Sequence, residues 1–172
     1  LRTLAASPIP LVAALTGHAP AGGTVLALYC DYRILAEGNW KIGLNEVRVG
    51  LTLPPVIFAA LRRQVGPREA ERLATAGLLL PPAEALRVGL VEELAPPEQT
   101  VPRAIEWCES LLALPATALL ETRQMARADL VRLFDPNLEA ELAVVFENWW
   151  SAETQTVLRG LVERLAQKKQ SA

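Results

Sequence analysis

Leu11-Val12-Ala13-Ala14-Leu15-Thr16-Gly17-His18-Ala19-Pro20-Ala21-Gly22-Gly23-Thr24-Val25-Leu26-Ala27-Leu28-Tyr29 is the stretch on which the fold turns. Pro8-Ile9-Pro10 breaks the chain ahead of it. The short apolar run Leu11 to Leu15 then stops at Thr16-Gly17, which reads as a buried strand. Ala19 to Gly23 reads as a turn. Thr24 to Tyr29 follows with no turn residue and predicts a buried helix opening at the glycines and ended by Asp31. Tyr32-Arg33-Ile34-Leu35-Ala36 and Trp40-Lys41-Ile42 are predicted strands, separated by Glu37-Gly38-Asn39, residues that turns favour. Strands alternating with helices place the chain in the α/β class.

From residue 54 onward the pattern becomes mainly helical. Pro67, after Gly66, sits as a first-turn proline ahead of Arg68-Glu69-Ala70-Glu71-Arg72-Leu73. Pro82 to Arg87 predicts one short helix with proline at its start and Gly89 just past its end. Leu90-Val91 is expected to begin another strand. Helical periodicity then covers three segments, near 99–113, 116–133 and 137–168, with Pro115 and Pro136 as breaks. A boundary near 96–102 would divide a core, residues 1–98, from a helical C-terminal region, residues 99–172.

The chain has 172 residues, of which 51% are hydrophobic and 21% charged, enough for one packed core. Its 17 basic and 19 acidic residues leave a net charge of −2, so no general attraction to nucleic acid or anionic membrane is expected. No apolar run approaches the roughly 18 residues that would span a bilayer. Cys30 and Cys108 lie far apart in the sequence, which supports neither a disulfide nor a zinc site and makes a reducing compartment the default. The chain starts at Leu1 on what reads as the end of a helix, so any targeting segment is expected upstream.

Two features carry chemistry. Pro20-Ala21-Gly22-Gly23 stands at the mouth of an apolar helix, where glycines admit a ligand to the backbone and the free N–H groups of the first turn favour negative charge. Taken alone, the pair also reads as a tight turn. Glu46, in Ile42-Gly43-Leu44-Asn45-Glu46-Val47-Arg48-Val49-Gly50, is an acid in a mostly apolar stretch; burial there would raise its pKa toward what a general base needs. Alone, it reads first as a solvated loop residue, since most glutamates are exposed. His18 has no partner at a recognisable spacing and is read as structural or exposed, and the cysteines as packing residues.

Taken together, Leu11 to Gly17, Pro20-Ala21-Gly22-Gly23, Cys30 to Ala36 and Ile42-Gly43-Leu44-Asn45-Glu46 resemble the central block of the crotonase, or enoyl-CoA hydratase/isomerase, superfamily. Gly77-Leu78-Leu79-Leu80-Pro81-Pro82-Ala83-Glu84-Ala85, followed by Gly89-Leu90-Val91, is similar to its later signature. The resemblance runs from about Leu11 to the C-terminal helix. It implies a ββα spiral, truncated at its N-terminus, with a helical trimerisation region behind it. The combination of motifs looks most like the Δ3,Δ2-enoyl-CoA isomerase branch.

That resemblance also assigns roles. It implies Glu46 as the catalytic base and the Gly22 N–H as an oxyanion donor. Ala21, Gly22, Gly23 and Asn45 would line the substrate, an acyl-CoA, and Lys168 or Lys169 would meet CoA phosphates. Hydratases of this superfamily carry a first glutamate two residues after the last loop glycine. Val25 stands there, which favours proton shuttling by one carboxylate over activation of water by two. No cofactor or metal is implied. The resemblance further implies a homotrimer in the mitochondrial matrix. Family members carry upstream strands that supply the second oxyanion N–H and much of the CoA cradle. Open alternatives are another crotonase chemistry, hydration or thioester hydrolysis, and an inactive acyl-CoA-binding or assembly subunit.

Overall fold

Two small parallel sheets share the first half of the chain. The computed structural model describes residues 1–134 and 138–170, with side chains at all of these except 139–141, 144, 165 and 168–170. After a short helix α1 (Arg2–Ala5), strand β1 (Val12–Leu15) pairs with β3 (Tyr32–Ala36), and β3 pairs on its other side with β5 (Glu93–Ala95). Val12 faces Tyr32 in register, and Ile34 faces Glu93. The second sheet holds two very short strands, β2 (Ala19–Pro20) and β4 (Ile42–Gly43), with Ala19 opposite Ile42 and Pro20 opposite Gly43.

Parallel neighbours require a crossover, and helix α2 (Gly22–Leu28) supplies it. The unit β1-β2-α2 is then repeated as β3-β4 followed by α3 (Pro55–Val65), the ββα spiral expected from the sequence. Val25, Ala27 and Leu28 of α2 face inward, and Tyr29, with no exposed surface, ends the helix. The Tyr29 hydroxyl donates to the Val56 carbonyl at 3.0 Å, tying the first crossover to α3. The main core joins Val25, Leu28, Tyr29, Leu35, Ile42, Leu44, Leu61 and Leu130.

The segment Cys30 to Ala36 owes its composition to two paired charges, one part-buried and one buried. Asp31 accepts the Leu11 N–H at 2.7 Å and is clasped by Arg123 at 2.9 and 2.8 Å and by Arg127 at 3.1 Å. Arg33 pairs with Glu92, whose other oxygen accepts the Arg33 N–H at 2.8 Å, while Gln64 donates to Glu92 at 2.9 Å. Buried charges are tolerated when paired and hydrogen-bonded in this way.

Helices α4 (Pro67–Thr75) and α5 (Pro82–Arg87) start at the expected prolines. Helix α6 (Thr100–Leu112) lies on the first sheet, with Ala104 packed against Ile34 and Ala95. Five sequence readings are corrected. Ala19–Pro20, read as part of a turn, forms β2. Trp40 and Lys41 lie outside the strand, which is confined to Ile42–Gly43. Leu90-Val91 do not begin a strand: both are buried in the turn before β5, where burial and not pairing explains their apolar character. The segment near 116–133 is two helices, α7 (Ala116–Ala126) and α8 (Ala128–Arg132), parted at Arg127, whose side chain turns inward to the Leu4 and Tyr29 carbonyls. Likewise the segment read as one helix near 137–168 holds two, α9 (Leu138–Trp149) and α10 (Ala152–Gln170), the second capped by Ser151 Oγ accepting the Thr154 N–H at 3.1 Å. Pro136, expected as a break, lies outside the described residues.

Candidate active site

Strands β2 and β4 run parallel, so the segments that follow them, Ala21-Gly22-Gly23 and Leu44-Asn45-Glu46, leave from the same edge of one sheet. The C-terminal edge of parallel strands is where α/β folds gather ligand-binding groups. A direct bond joins the two segments: the Ala21 N–H donates to the Gly43 carbonyl at 2.9 Å.

Ala21 takes φ 47° and ψ −110°, a strained conformation for a residue with a Cβ. It turns the chain abruptly from β2 into α2. The helix then starts with Gly22 and Gly23, whose N–H groups precede the first intrahelical bond, Val25 N–H to Ala21 carbonyl at 2.8 Å. The two glycines differ. A Cβ at Gly22 would meet nothing within 4 Å, whereas one at Gly23 would lie 3.0 Å from the Ala19 Cβ. Gly23 is therefore needed for close packing of α2 on β2, and Gly22 opens onto free space.

Glu46 begins a 3-10 turn, Glu46–Val49, that Gly50 ends in the left-handed region at φ 77°. The residue is half-buried, and its Oε2 is buried with no hydrogen-bond partner among the described residues. Desolvation pushes the carboxyl above the usual carboxylate range, and its own backbone N–H pulls weakly the other way. Such a carboxyl accepts a proton more readily than a solvated one. Asn45 precedes it, half-buried, at the N-cap of the turn, and its side chain makes no capping bond there.

The Glu46 turn is held from two sides. Behind Gly43, Ile42 and Leu80 exchange backbone hydrogen bonds at 3.1 and 2.8 Å, and a Cβ at Gly43 would come within 2.3 Å of the Leu78 carbonyl. Beyond Gly50, the buried Thr154 hydroxyl of α10 donates to the Gly50 carbonyl, and Asn148 reaches the Thr52 hydroxyl at 3.3 Å.

Of the residues singled out from sequence, the fold thus brings Ala21, Gly22, Gly23, Asn45 and Glu46 to one sheet edge. Val25 is buried in the core. Lys168 and Lys169 lie on α10, with side chains outside the described residues. His18 accepts the Lys41 N–H at 3.1 Å through Nδ1 and stands edge-on to Trp40, a structural role. Burial raises the Cys30 thiol pKa, which disfavours its thiolate. Cys108 lines an apolar cavity of about 360 Å³ between the Ile9-Pro10 segment and helices α6 and α7, away from Glu46. Among the described residues no group of three or more His, Cys, Asp or Glu gathers as metal ligands, and no helix is long and apolar enough to cross a membrane. Sequence reading missed Thr24 and the Gly43 backbone. The only signal for Thr24 was a hydroxyl residue in the first turn of an otherwise apolar helix.

Comparison with known proteins agrees with this geometry. A model of the enoyl-CoA hydratase/isomerase family matches residues 1–170. The chain is 37% identical to the human protein named mitochondrial enoyl-CoA delta isomerase 1, over 168 residues that make up 95% of this chain and 54% of that one. It is 36% identical to a probable enoyl-CoA hydratase of Mycobacterium tuberculosis over 67% of this chain and 44% of the relative. The crystal structure of human mitochondrial Δ3-Δ2-enoyl-CoA isomerase superposes with a TM-score of 0.91 at 36% identity, covering 98% of this chain and 66% of that one. The chain spans about half the length of the curated relatives it matches.

Proposed function

Because the chain belongs to the enoyl-CoA hydratase/isomerase family, we propose that it carries out the Δ3,Δ2-enoyl-CoA isomerase reaction, with Glu46 as the proton carrier and the Gly22 N–H as an oxyanion donor. Glu46 itself supports this reading: a carboxyl with one buried, unpaired oxygen and a raised pKa, on the sheet edge that also presents the glycine loop. The substrate is a 3-enoyl-CoA. Its thioester carbonyl accepts the Gly22 N–H, which stabilises negative charge on that oxygen and so acidifies the C2 protons. Glu46 takes one C2 proton and returns it at C4, while the double bond moves from C3–C4 to C2–C3. The proton is conserved on the enzyme, and no water enters the product.

Ala21, Gly23 and Asn45 flank the acyl thioester in this proposal, and Lys168 or Lys169 meets the CoA phosphates. Val25, packed in the core where a hydratase of the family carries a glutamate, supports a single-carboxylate reaction over hydration. Homotrimeric assembly and the mitochondrial matrix follow from the same family reading, the second from relatives named as mitochondrial. The test is Glu46→Gln, nearly isosteric but unable to take the proton. Conversion of 3-enoyl-CoA to 2-trans-enoyl-CoA should fall by at least about 10²-fold, the low end for a general base, with acyl-CoA binding retained. Near-normal turnover in that variant removes Glu46 from the role.

A further inference from the structure

Thr24 has no exposed surface, and its hydroxyl bonds to the backbone of both strands that carry the candidate site. Its Oγ accepts the Gly43 N–H at 2.8 Å and donates to the Ala19 carbonyl at 2.5 Å, with the Gly43 carbonyl a second acceptor at 3.1 Å. A hydroxyl has one proton and two lone pairs, so this set uses it as donor and acceptor at once. Thr24 lies two residues past Gly22, and Gly43 lies three before Glu46. Leu78 and Leu79 pack hard against Gly43 where a Cβ would stand. The hydroxyl therefore sets where β4 ends, and with it where the Glu46 turn begins relative to the first turn of α2.

We infer that Thr24 is a positioning residue that couples the two halves of the site, keeping the Gly22 N–H and the Glu46 carboxyl in fixed relation. This rests on the isomerase reading above. Thr24 touches no substrate in that reading; it acts through Gly43 and Ala19. A proton shuttle between two carbons depends on such placement, since a shift of about 1 Å in a catalytic group costs on the order of 10²-fold in rate.

The test compares Thr24→Ser, Thr24→Ala and Thr24→Val. Ser and Ala both lack the methyl and differ only in the hydroxyl, while Val keeps the volume and loses the hydroxyl. In the Ala and Val variants kcat should fall about 10-fold to 10²-fold with KM changed by less than about threefold, and Ser should stay within about threefold of the parent. Gly43 amide exchange should accelerate, and the Glu46 carboxyl titration, followed by NMR, should move in Ala and Val but not in Ser. Equal kcat in Ser and Ala, or a Val variant better than Ser, would overturn the inference, because volume and not the hydroxyl would then matter. If Val does not fold, the Ser and Ala pair still decides. If the parent chain has no isomerase activity, the proposed function fails; the coupling is then judged by Gly43 exchange and the Glu46 titration, and fails if neither differs between Ser and Ala.

Discussion

Glu46 is held where its charged form is disfavoured, and that has a measurable consequence for stability. Unfolded, the carboxyl titrates in the ordinary range; folded, it keeps its proton to higher pH. Between those two values the folded state binds more protons, so stability declines as pH rises through that window. The penalty is fully present above the folded value and absent below the unfolded one. Glu46→Gln is therefore expected to raise Tm at pH 7 and to lose that advantage near pH 4. The gain should be at most about 3 °C, because a half-exposed group is partly screened. A Tm lowered at pH 7 would mean that Glu46 is stabilised by its surroundings and not held under a desolvation penalty. The same shift should displace the acid limb of the kcat profile upward from the usual carboxylate range. Glu46 stands out in the sequence through the resemblance of Ile42-Gly43-Leu44-Asn45-Glu46 to a family motif; taken alone it reads as a solvated loop residue. Thr24 does not stand out, because its partners, Ala19 and Gly43, become neighbours only when β2 and β4 pair.

At the level of elements, Gly22 and Gly43 separate function from folding. Gly22 is exposed, lies outside the left-handed region, and faces open space where a Cβ would stand. Gly22→Val should thus leave Tm within about 2 °C of the parent, a change worth about 0.5–1 kcal/mol at this size. Isomerisation should nevertheless fall, by about 10²-fold to 10³-fold, because the Val side chain would stand where the thioester must reach the residue 22 N–H. Matching losses of Tm and turnover would return Gly22 to a packing role. Gly43 is the opposite case, with φ 144° and the Leu78 carbonyl 2.3 Å from a would-be Cβ. Gly43→Ala is expected to cost at least about 2 kcal/mol, as strain and overpacking together do, and chemical denaturation would measure it. The elements that sequence reading located well are those with local punctuation: proline at the start of α4 and α5, and glycine after α5. β2 escaped because two residues carry no periodicity. The break at Arg127 escaped because its cause is a long-range ion pair with Asp31.

For the molecule as a whole, the distribution of apolar surface decides what the C-terminal helices do. Leu138, Leu142, Val145, Phe146 and Trp149 crowd α9, Trp150 follows in the turn, and Val157, Leu158, Leu161 and Val162 recur along α10. The inner side of the pair is accounted for: α10 meets the Glu46–Val49 turn, and Thr154 is buried against Gly50. Phe146, Trp150 and Val162 are not, being 65%, 76% and 65% exposed. Two aromatic rings and a valine left in water on α9, α10 and the turn between them form the kind of surface that marks an interface. A copy of the same chain is the occupant that the family reading supplies. Because α9 and α10 also brace the Glu46 turn, assembly through this surface would link mechanically to the site: a partner that fixed α9 and α10 would also fix the turn behind Glu46. The protein is therefore expected to sediment as a trimer at micromolar concentration. Phe146→Asp combined with Trp150→Asp should shift it to the monomer with helical content preserved, since neither side chain contributes to the core. The charged pair should also lower turnover by loosening the Glu46 turn, without altering the residues of the site. A monomer mass in the parent that persists as concentration rises would sink the trimer, and a double variant that dissociates at full activity would sink the link between assembly and the Glu46 turn.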